Sequence, residues 1–222
     1  MRIYHVSDTH GYFPNLSGAF DVVVHSGDFF PNKPYLHNSN SVKEMAFQMD
    51  WLGNNIAMLK KWLRGKDILF ILGNHDFAHN ALVEQALNSE GIKAISLHDK
   101  IVRYKDLTFY GFPYIPPING MFAYEREAPE MHKEVDNMVE SFNKDYVDIL
   151  VSHAPLYRVL DLTRGNSAIG SSVISSAIDY KIDKNMRPSV VLHGHCHESH
   201  GITMYNDILV SNAASTAHII EI

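Results

Sequence analysis

Five short clusters of Asp, His, Asn and Gly carry side chains that commonly bind divalent metal ions. Their imidazoles, carboxylates and amide oxygen form a mixed nitrogen and oxygen donor set, which suits Mn, Fe, Zn or Co better than Ca or a metal that prefers thiolates. The clusters therefore predict a metal site. In chain order they are Asp8-Thr9-His10, Gly27-Asp28, Gly73-Asn74-His75-Asp76, Ser152-His153 and Gly194-His195-Cys196-His197.

The number of donors predicts two ions. Two ions about 3.5–4 Å apart can share a bridging carboxylate, whereas a single ion could not use every donor and keep room for water and substrate. Asp28 is the expected bridge. The candidate ligands are Asp8, His10, Asp28, Asn74, His153, His195 and His197.

Short apolar runs rich in Val and Ile predict buried strands, and each cluster lies just beyond one of them. Residues at the carboxyl ends of strands in an open α/β sheet converge on one crevice, so we expect the clusters to meet. The predicted strands are Ile3–Val6, Asp21–His25, Ile68–Leu72, Thr108–Phe112, Asp148–Val151 and Ser189–Leu192.

Helical patterns between these strands predict an α/β architecture. The clearest helix covers Met45–Leu63, where apolar residues recur every three or four positions along one stripe, Met45, Met49, Leu52, Ile56, Leu59 and Leu63. Weaker patterns cover Asn80–Ser89, Glu127–Asn143 and Ser171–Tyr180.

The last third of the chain predicts a mixed, partly antiparallel sheet. Short strands are expected at His200–Thr203, Asp207–Ser211 and Ala217–Ile222, with a tight turn at Asn206-Asp207. The prolines in Gly111–Gly120 predict a surface loop near the site. No linker-like change of composition divides the chain, so we expect one domain over residues 1–222.

The ordered clusters resemble the motif series of the calcineurin-like metallophosphoesterases, which is D-x-H, G-D, G-N-H-D/E, a lone H and G-H-x-H. The likeness extends from Asp8 to His197, and it is greatest to the metallophosphoesterase-domain-containing phosphodiesterase branch. It implies a four-layer sandwich of two mixed β-sheets flanked by helices. It also implies hydrolysis of a phosphoester, with a diester such as a small or cyclic nucleotide preferred over a phosphomonoester.

The resemblance implies a role for each cluster residue. One ion would take Asp8, His10, Asp28 and His197, and the other would take Asp28, Asn74, His153 and His195. His75 would be hydrogen-bonded to Asp76, which keeps it cationic, and would stabilise or protonate the leaving oxygen. A hydroxide bridging the ions would be the nucleophile, because bound cations lower the pKa of water from about 15.7 toward roughly 7. We expect Mn²⁺, with Fe, Zn, Co or Ni as alternatives.

One position departs from the family pattern G-D-x-x-D/N, because Pro31 stands in the fifth place and Asn32 follows it. This change affects any hydrogen bond by which that residue orients ligating groups. Three further residues are candidates for substrate binding. Arg158 could bind a phosphate, and Tyr12 and Tyr114 could stack on a nucleobase.

Composition excludes several other classes of protein. No apolar stretch approaches the roughly 18 residues of a membrane span. A formal charge of −6 argues against a stable complex with nucleic acid, which needs a concentrated basic face. Cys196 is the only cysteine, so no intrachain disulfide forms, and we expect a packed thiol. Because Met1–Val6 runs directly into a strand pattern without an apolar leader, we expect a soluble, cytoplasmic protein.

The expected partner is a small phosphoester, with a nucleotide as one candidate, and the oligomeric state is left open. Two alternative functions remain, a non-catalytic scaffold of the same fold and a nuclease acting on nucleic-acid ends. Hydrolysis of bis(p-nitrophenyl) phosphate with manganese would exclude the scaffold. Among the histidines outside the clusters, the following are expected to be structural or on the surface: His5, His25, His37, His79, His98, His132, His200 and His218.

Overall fold

The computed structural model describes residues 1–33 and 40–222, so His37 lies outside the described residues. The strands are β1 (Arg2–Val6), β2 (Val22–Ser26), β3 (Asp67–Ile71), β4 (Ala94–Ser96), β5 (Ile101–Tyr104), β6 (Leu107–Phe112), β7 (Ile149–Ser152), β8 (Val190–His193), β9 (Gly201–Tyr205), β10 (Ile208–Asn212) and β11 (Ala217–Glu221). The helices are α1 (Ser41–Leu63), α2 (Asn80–Ser89), α3 (Ala128–Lys144) and α4 (Ser172–Ser176), and α4 continues into a π-helical turn at Ala177–Lys181.

The strands form two mixed sheets. In the first, β1, β2, β3 and β4 are parallel neighbours, and β11 pairs antiparallel with β1. In the second, β6, β7, β8 and β10 are parallel, and β5 and β9 pair antiparallel at the two edges. The predicted mixed, partly antiparallel arrangement is therefore confirmed.

Three clusters of buried side chains divide the molecule into four layers. Leu52 of α1 and Val83 of α2 pack against the outer face of the first sheet. Val24 of β2 packs against Phe109 and Val151 between the two sheets. Val135, Met138 and Phe142 of α3 pack with Leu150 and Val191 on the outer face of the second sheet. The four-layer sandwich that the resemblance implied is confirmed.

Helix α1 differs from the prediction in its amino-terminal half. It begins at Ser41, because the side chain of Asn40 accepts the N–H of Lys43 and caps the helix. The residues that it buries there are Glu44 and Gln48, one position before the expected Met45 and Met49. The predicted stripe is correct at Leu52, Leu59 and Leu63. Two polar side chains therefore face inward next to the clusters.

The other differences are local. The strands β4 and β5 were not predicted, because one has three residues and the other is only half-buried. The expected turn at Asn206-Asp207 is confirmed, since both residues have positive φ, at 48° and 66°, and join the paired strands β9 and β10. The expected loop Gly111–Gly120 is partly wrong. Its first residues end β6, residues through Ile115 are buried, and only the rest is a surface loop.

Candidate metal site

The predicted clusters lie on the connections that leave β1, β2, β3, β7 and β8 at their carboxyl ends. Backbone bonds join the first two connections, since the N–H of Asp8 donates to the Gly27 carbonyl (2.9 Å) and that of His10 to the Asp28 carbonyl (3.0 Å). Nδ1 of His153, at the end of the second sheet, lies 2.9 Å from the Ser26 carbonyl oxygen in the first. The carboxyl ends of both sheets thus meet at one place, as expected for an open α/β arrangement.

Asp8, His10 and His197 form the first group of candidate ligands. Their potential ligand atoms all lie within 4.8 Å of one another, and Nε2 of His197 is 3.0 Å from Oδ1 of Asp8. Nδ1 of His10 is buried and has no hydrogen-bond partner. Because a buried polar atom normally has a partner, this atom and the mixed donor set fit a divalent ion.

Asp28, Asn74, His153 and His195 form the second group. Oδ1 of Asn74 lies 2.9 Å from Nε2 of His153 and 3.0 Å from Nδ1 of His195. Oδ1 of Asp28 lies 3.4 Å from Nε2 of His153. The four donors therefore converge. Asp8 also approaches this group, because the ligand atoms of Asp8, Asp28 and His153 lie within 4.8 Å of one another.

Asp28 lies between the two groups. Its Oδ2 is 3.9 Å from Nε2 of His10, and its Oδ1 is turned toward His153. A carboxylate with one oxygen toward each group is placed as a bridge would be. Asp8, and not Asp28, belongs to both sets of mutually close donors. The bridging role of Asp28 therefore stays a prediction.

The backbone is strained at four of the candidate ligands. Asp8, His10, Asp28 and His195 have φ values of 52°, 45°, 56° and 69°. Residues other than glycine rarely adopt this left-handed conformation, and it persists where the surrounding structure imposes it, often at functional sites. The hydrogen bonds between connections supply that constraint here.

Glycines in the motifs make room for the ligands. A Cβ atom on Gly73 would collide with the carboxylate of Asp28 and with the ring of His153. A Cβ atom on Gly194 would collide with the Asp8 carboxylate and with Ser7. Both glycines have ordinary φ values, so the spacing of the ligands, and not backbone conformation, requires glycine at these two positions.

Asp76 supports the backbone of the site and is not hydrogen-bonded to the imidazole of His75. The Asp76 side chain is fully buried and accepts the N–H groups of Phe29 (3.0 Å), Phe30 (2.9 Å) and Gly73 (2.8 Å). The expected hydrogen bond from His75 to Asp76 is therefore wrong. These three donors occupy the carboxylate and tie the connection after β2 to the connection after β3.

The partner of His75 is Asn32, the residue that follows the departure at Pro31. Nδ1 of His75 lies 3.0 Å from Oδ1 of Asn32. Burial lowers the pKa of His75, more than the charges of Asp28 and Asp8 raise it. The expectation that a carboxylate neighbour keeps this ring cationic in the free protein is thus also wrong. An amide stands where that carboxylate was expected.

Gln48 was not singled out from the sequence, although it holds the loop that carries His75. Its Nε2 donates to the His75 carbonyl (2.7 Å), and its Oε1 accepts the N–H groups of Phe77 (2.7 Å) and Ala78 (3.0 Å). A glutamine inside a helical pattern gives no signal for such a role. Its position four residues before Leu52, which was expected to be buried, was the only indication in the sequence.

Burial and nearby charges shift the pKa values of two neighbouring histidines in opposite directions. Burial disfavours the charged form of His153, but the charge and hydrogen bond of Asp28 outweigh it and raise the pKa of His153 to about 9. Burial, together with the charge of His153, lowers the pKa of His195 to about 4. Burial would raise the pKa of Asp28, yet His153 holds it well below its usual range. Without metal, His153 and Asp28 therefore form an ion pair.

The three predicted substrate residues have different surroundings. Tyr12 is 70% exposed on the connection after His10. The guanidinium of Arg158 lies over the ring of its neighbour Tyr157, 5.2 Å from the centroid. Tyr12 and Arg158 stay predictions. Tyr114 is buried, and its hydroxyl donates to Asp99 (2.6 Å), so its expected stacking on a nucleobase is wrong.

Other expectations for single residues are met. Cys196 is fully buried, and its side chain is absent from both groups of donors. His5 and His25 are fully buried among hydroxyl partners, Ser26 and Ser211 for the first and Thr9 for the second. Within residues 1–33 and 40–222, no helix is both long enough and apolar enough to cross a membrane.

Comparisons with known proteins show the family to which this chain belongs. Two curated Caenorhabditis elegans proteins are similar, UPF0046 protein C25E10.12 at 25% identity (98% of this chain, 76% of the relative) and UPF0046 protein K07C11.7 at 23% (96% and 69%). The solved structure of TT1561 of Thermus thermophilus shares the fold with a TM-score of 0.57 at 16% identity, covering 96% of this chain and 88% of that one. The profile of the calcineurin-like phosphoesterases matches residues 1–199. The chain therefore belongs to the calcineurin-like phosphoesterase family and is a metal-dependent phosphoesterase.

Proposed function

We propose that this protein hydrolyses phosphodiesters of small or cyclic nucleotides, and phosphomonoesters more slowly, with two divalent ions of which Mn²⁺ is the foremost candidate. The observation that carries the proposal is the convergence of two donor groups, one around Asp8 and one around Asn74, on either side of Asp28. When bound, the ions activate a water molecule and offset the negative charge that develops on the phosphate.

His75 assists the leaving group. The contact between its Nδ1 and Oδ1 of Asn32 orients the ring and leaves Nε2 for proton transfer. The water oxygen bonds to phosphorus while the bond between phosphorus and the leaving oxygen breaks. The Nε2–H of His75 protonates that oxygen, and the proton released by the water replaces it. Burial lowers the pKa of His75 in the free protein, so the ring is neutral there. The negative charge of the bound substrate favours the protonated ring, which then takes up the proton that it donates.

The surroundings of His75 support a diester over a monoester. Its ring contacts Asn32, His10 and Phe122, with ring centroids 5.1 Å from His10 and 4.7 Å from Phe122. None of the three is a lysine or arginine. A cationic side chain would stabilise a doubly charged monoester more than a singly charged diester. The resemblance to phosphodiesterases points the same way.

A direct test is the hydrolysis of bis(p-nitrophenyl) phosphate, p-nitrophenyl phosphate and cyclic nucleotides with Mn²⁺, Fe²⁺, Zn²⁺, Co²⁺ and Ni²⁺. The expected result is metal-dependent turnover with a higher kcat/KM for diesters. His75→Ala should abolish most of it, whereas His132→Ala, at an exposed histidine on α3, should not. No turnover with any ion would overturn the proposal, and a preference for the monoester would overturn its diester part.

A further inference from the structure

A cavity of about 840 Å³ lies beside the loop that carries His75. Its walls come from the first turns of α1, from the residues after His75, and from the segment before α3. They include Met45, Phe77, Met121, Phe122 and Tyr124. The volume is within the roughly 300–1,000 Å³ typical of small-molecule sites. No step proposed above uses this space.

The cavity adjoins the candidate site directly. Phe122 lines it, and the Phe122 ring contacts the imidazole of His75 at a centroid distance of 4.7 Å. The next residue, Ala123, donates its N–H to the carbonyl of Asn74 (2.9 Å), which fixes this wall to the second donor group. The wall is therefore anchored to the residues that would surround the phosphate.

Most of the wall surface is apolar, although the carboxylates of Glu44 and Asp76 also line the cavity, and this chemistry favours an apolar or aromatic occupant over an anionic one. Two thioethers, Met45 and Met121, and the phenyl rings of Phe77 and Phe122 present flat or adaptable apolar surface. The cation at the edge is already engaged, since the Arg126 guanidinium lies 4.4 Å from the Tyr114 ring centroid and donates to the Glu125 carbonyl. A second anionic group is therefore a poor match for this space.

We propose that this cavity binds the part of the substrate that carries the leaving oxygen, and that this part presents a bulky apolar or aromatic surface, which the base of a nucleoside or the ring of a phenol would supply. The inference rests on the proposed function, because His75 places the leaving oxygen beside Phe122. Binding energy from such a remote group favours the correct substrate in kcat/KM. The cavity thus determines which phosphodiesters the protein prefers. The two donor groups determine that the reaction is the hydrolysis of a phosphoester.

Two chromogenic diesters test the subsite, methyl p-nitrophenyl phosphate and methyl 4-methylumbelliferyl phosphate. Their leaving groups are similar in acidity and differ in bulk. The readout is the ratio of kcat/KM for the bulkier substrate to that for the smaller one, measured with Mn²⁺. Met45→Trp fills the cavity from α1 and should lower the ratio about tenfold or more. Met58→Trp is the matched control on the same helix, at an exposed position outside the cavity, and should keep the wild-type ratio.

A second variant guards against misfolding. Met121→Trp narrows the cavity from the opposite wall at a 65% exposed position, and it should lower the ratio as Met45→Trp does. A wild-type ratio in both cavity variants would overturn the leaving-group subsite while leaving the proposed function intact. If the wild-type protein hydrolysed neither substrate with any ion, the proposed function would fail and the subsite with it.

Discussion

The Nδ1 atom of His75 lies 3.0 Å from the Oδ1 atom of Asn32, whereas the neighbouring Asp76 binds three backbone N–H groups instead. The two residues beside the histidine therefore have separate tasks. Asn32 orients the imidazole, and Asp76 holds the connections that carry the donors. Substitutions at the two positions should accordingly affect different measured quantities.

Loss of the Asn32 contact should slow turnover. We expect Asn32→Ala to lower kcat about tenfold with little change in KM or in metal content, because the histidine keeps its place but loses its orientation. Asn32→Asp is the informative partner, since a carboxylate would raise the pKa of His75. Activity that needs protonated His75 is lost as pH rises through its pKa, so this variant should move the alkaline limb of the pH–rate profile to higher pH. Unchanged profiles and rates in both variants would show that Asn32 does not act through His75.

Metal binding and proton transfer should separate in two variants. His75→Ala should keep both ions and lose about a hundredfold or more in rate, the usual scale for a general acid. Asp28→Ala should lose metal, since its carboxylate lies between the two donor groups. Elemental analysis after gel filtration, together with kcat, distinguishes them. Full activity in His75→Ala would contradict its assigned role.

Asp76 should matter for stability even without metal. Removal of its carboxylate leaves the N–H groups of Phe29, Phe30 and Gly73 buried without their acceptor. We expect Asp76→Ala to lower the free energy of unfolding by about 3 kcal/mol or more, measured by urea denaturation of the metal-free protein. Asp50→Ala, at an exposed position on α1, is the control and should change it little. An equal change in the free energy of unfolding for Asp76→Ala and Asp50→Ala would mean that the three hydrogen bonds of Asp76 contribute nothing measurable to stability.

Glycine at position 194 should be needed for metal binding. Gly194→Ala places a Cβ atom against the Asp8 carboxylate and should weaken Mn²⁺ binding strongly in calorimetric titration. Gly53→Ala, in the middle of α1 where a Cβ atom meets nothing within 4 Å, should bind Mn²⁺ normally and gain roughly 0.5–1 kcal/mol of stability. Normal Mn²⁺ affinity in Gly194→Ala would contradict the crowding around Asp8.

Metal affinity should rise with pH. In the metal-free protein the pKa of His153 is raised to about 9, so near pH 7 an incoming ion must displace its proton. Just below pH 9 the apparent affinity of the ion at His153 should therefore fall about tenfold for each unit of decreasing pH, because binding releases one proton from this residue. The hydrogen bond with Asp8 also raises the pKa of His197, so the fall should become steeper at lower pH. His195, with a pKa lowered to about 4, is already neutral and adds no such dependence. Titration of Mn²⁺ at several pH values measures the slope, and a flat profile would contradict the protonated state of His153.

The sequence predicted the strands and the donors better than it predicted their supports. The strands β1, β2 and β3 are short, largely apolar runs that end just before residues of ligand type, so the local pattern is sufficient to place Asp8 and Asn74. The roles of Gln48 and Asn32 depend on contacts between distant connections, which periodicity cannot show. Glu44 and Gln48 are buried on α1, and a pattern of apolar residues cannot identify polar ones that face inward. Tyr114 was assigned to the substrate because it lies in a loop expected near the site. The sequence gives no sign that its hydroxyl donates a hydrogen bond to Asp99 instead.

Anomalous diffraction from crystals grown with MnCl₂ tests the central claim most directly. The expected result is two manganese peaks about 3.5–4 Å apart, one among Asp8, His10 and His197 and the other among Asn74, His153 and His195, with Asp28 between them. The absence of manganese from these groups in crystals at saturating Mn²⁺, or a single peak elsewhere, would contradict the account.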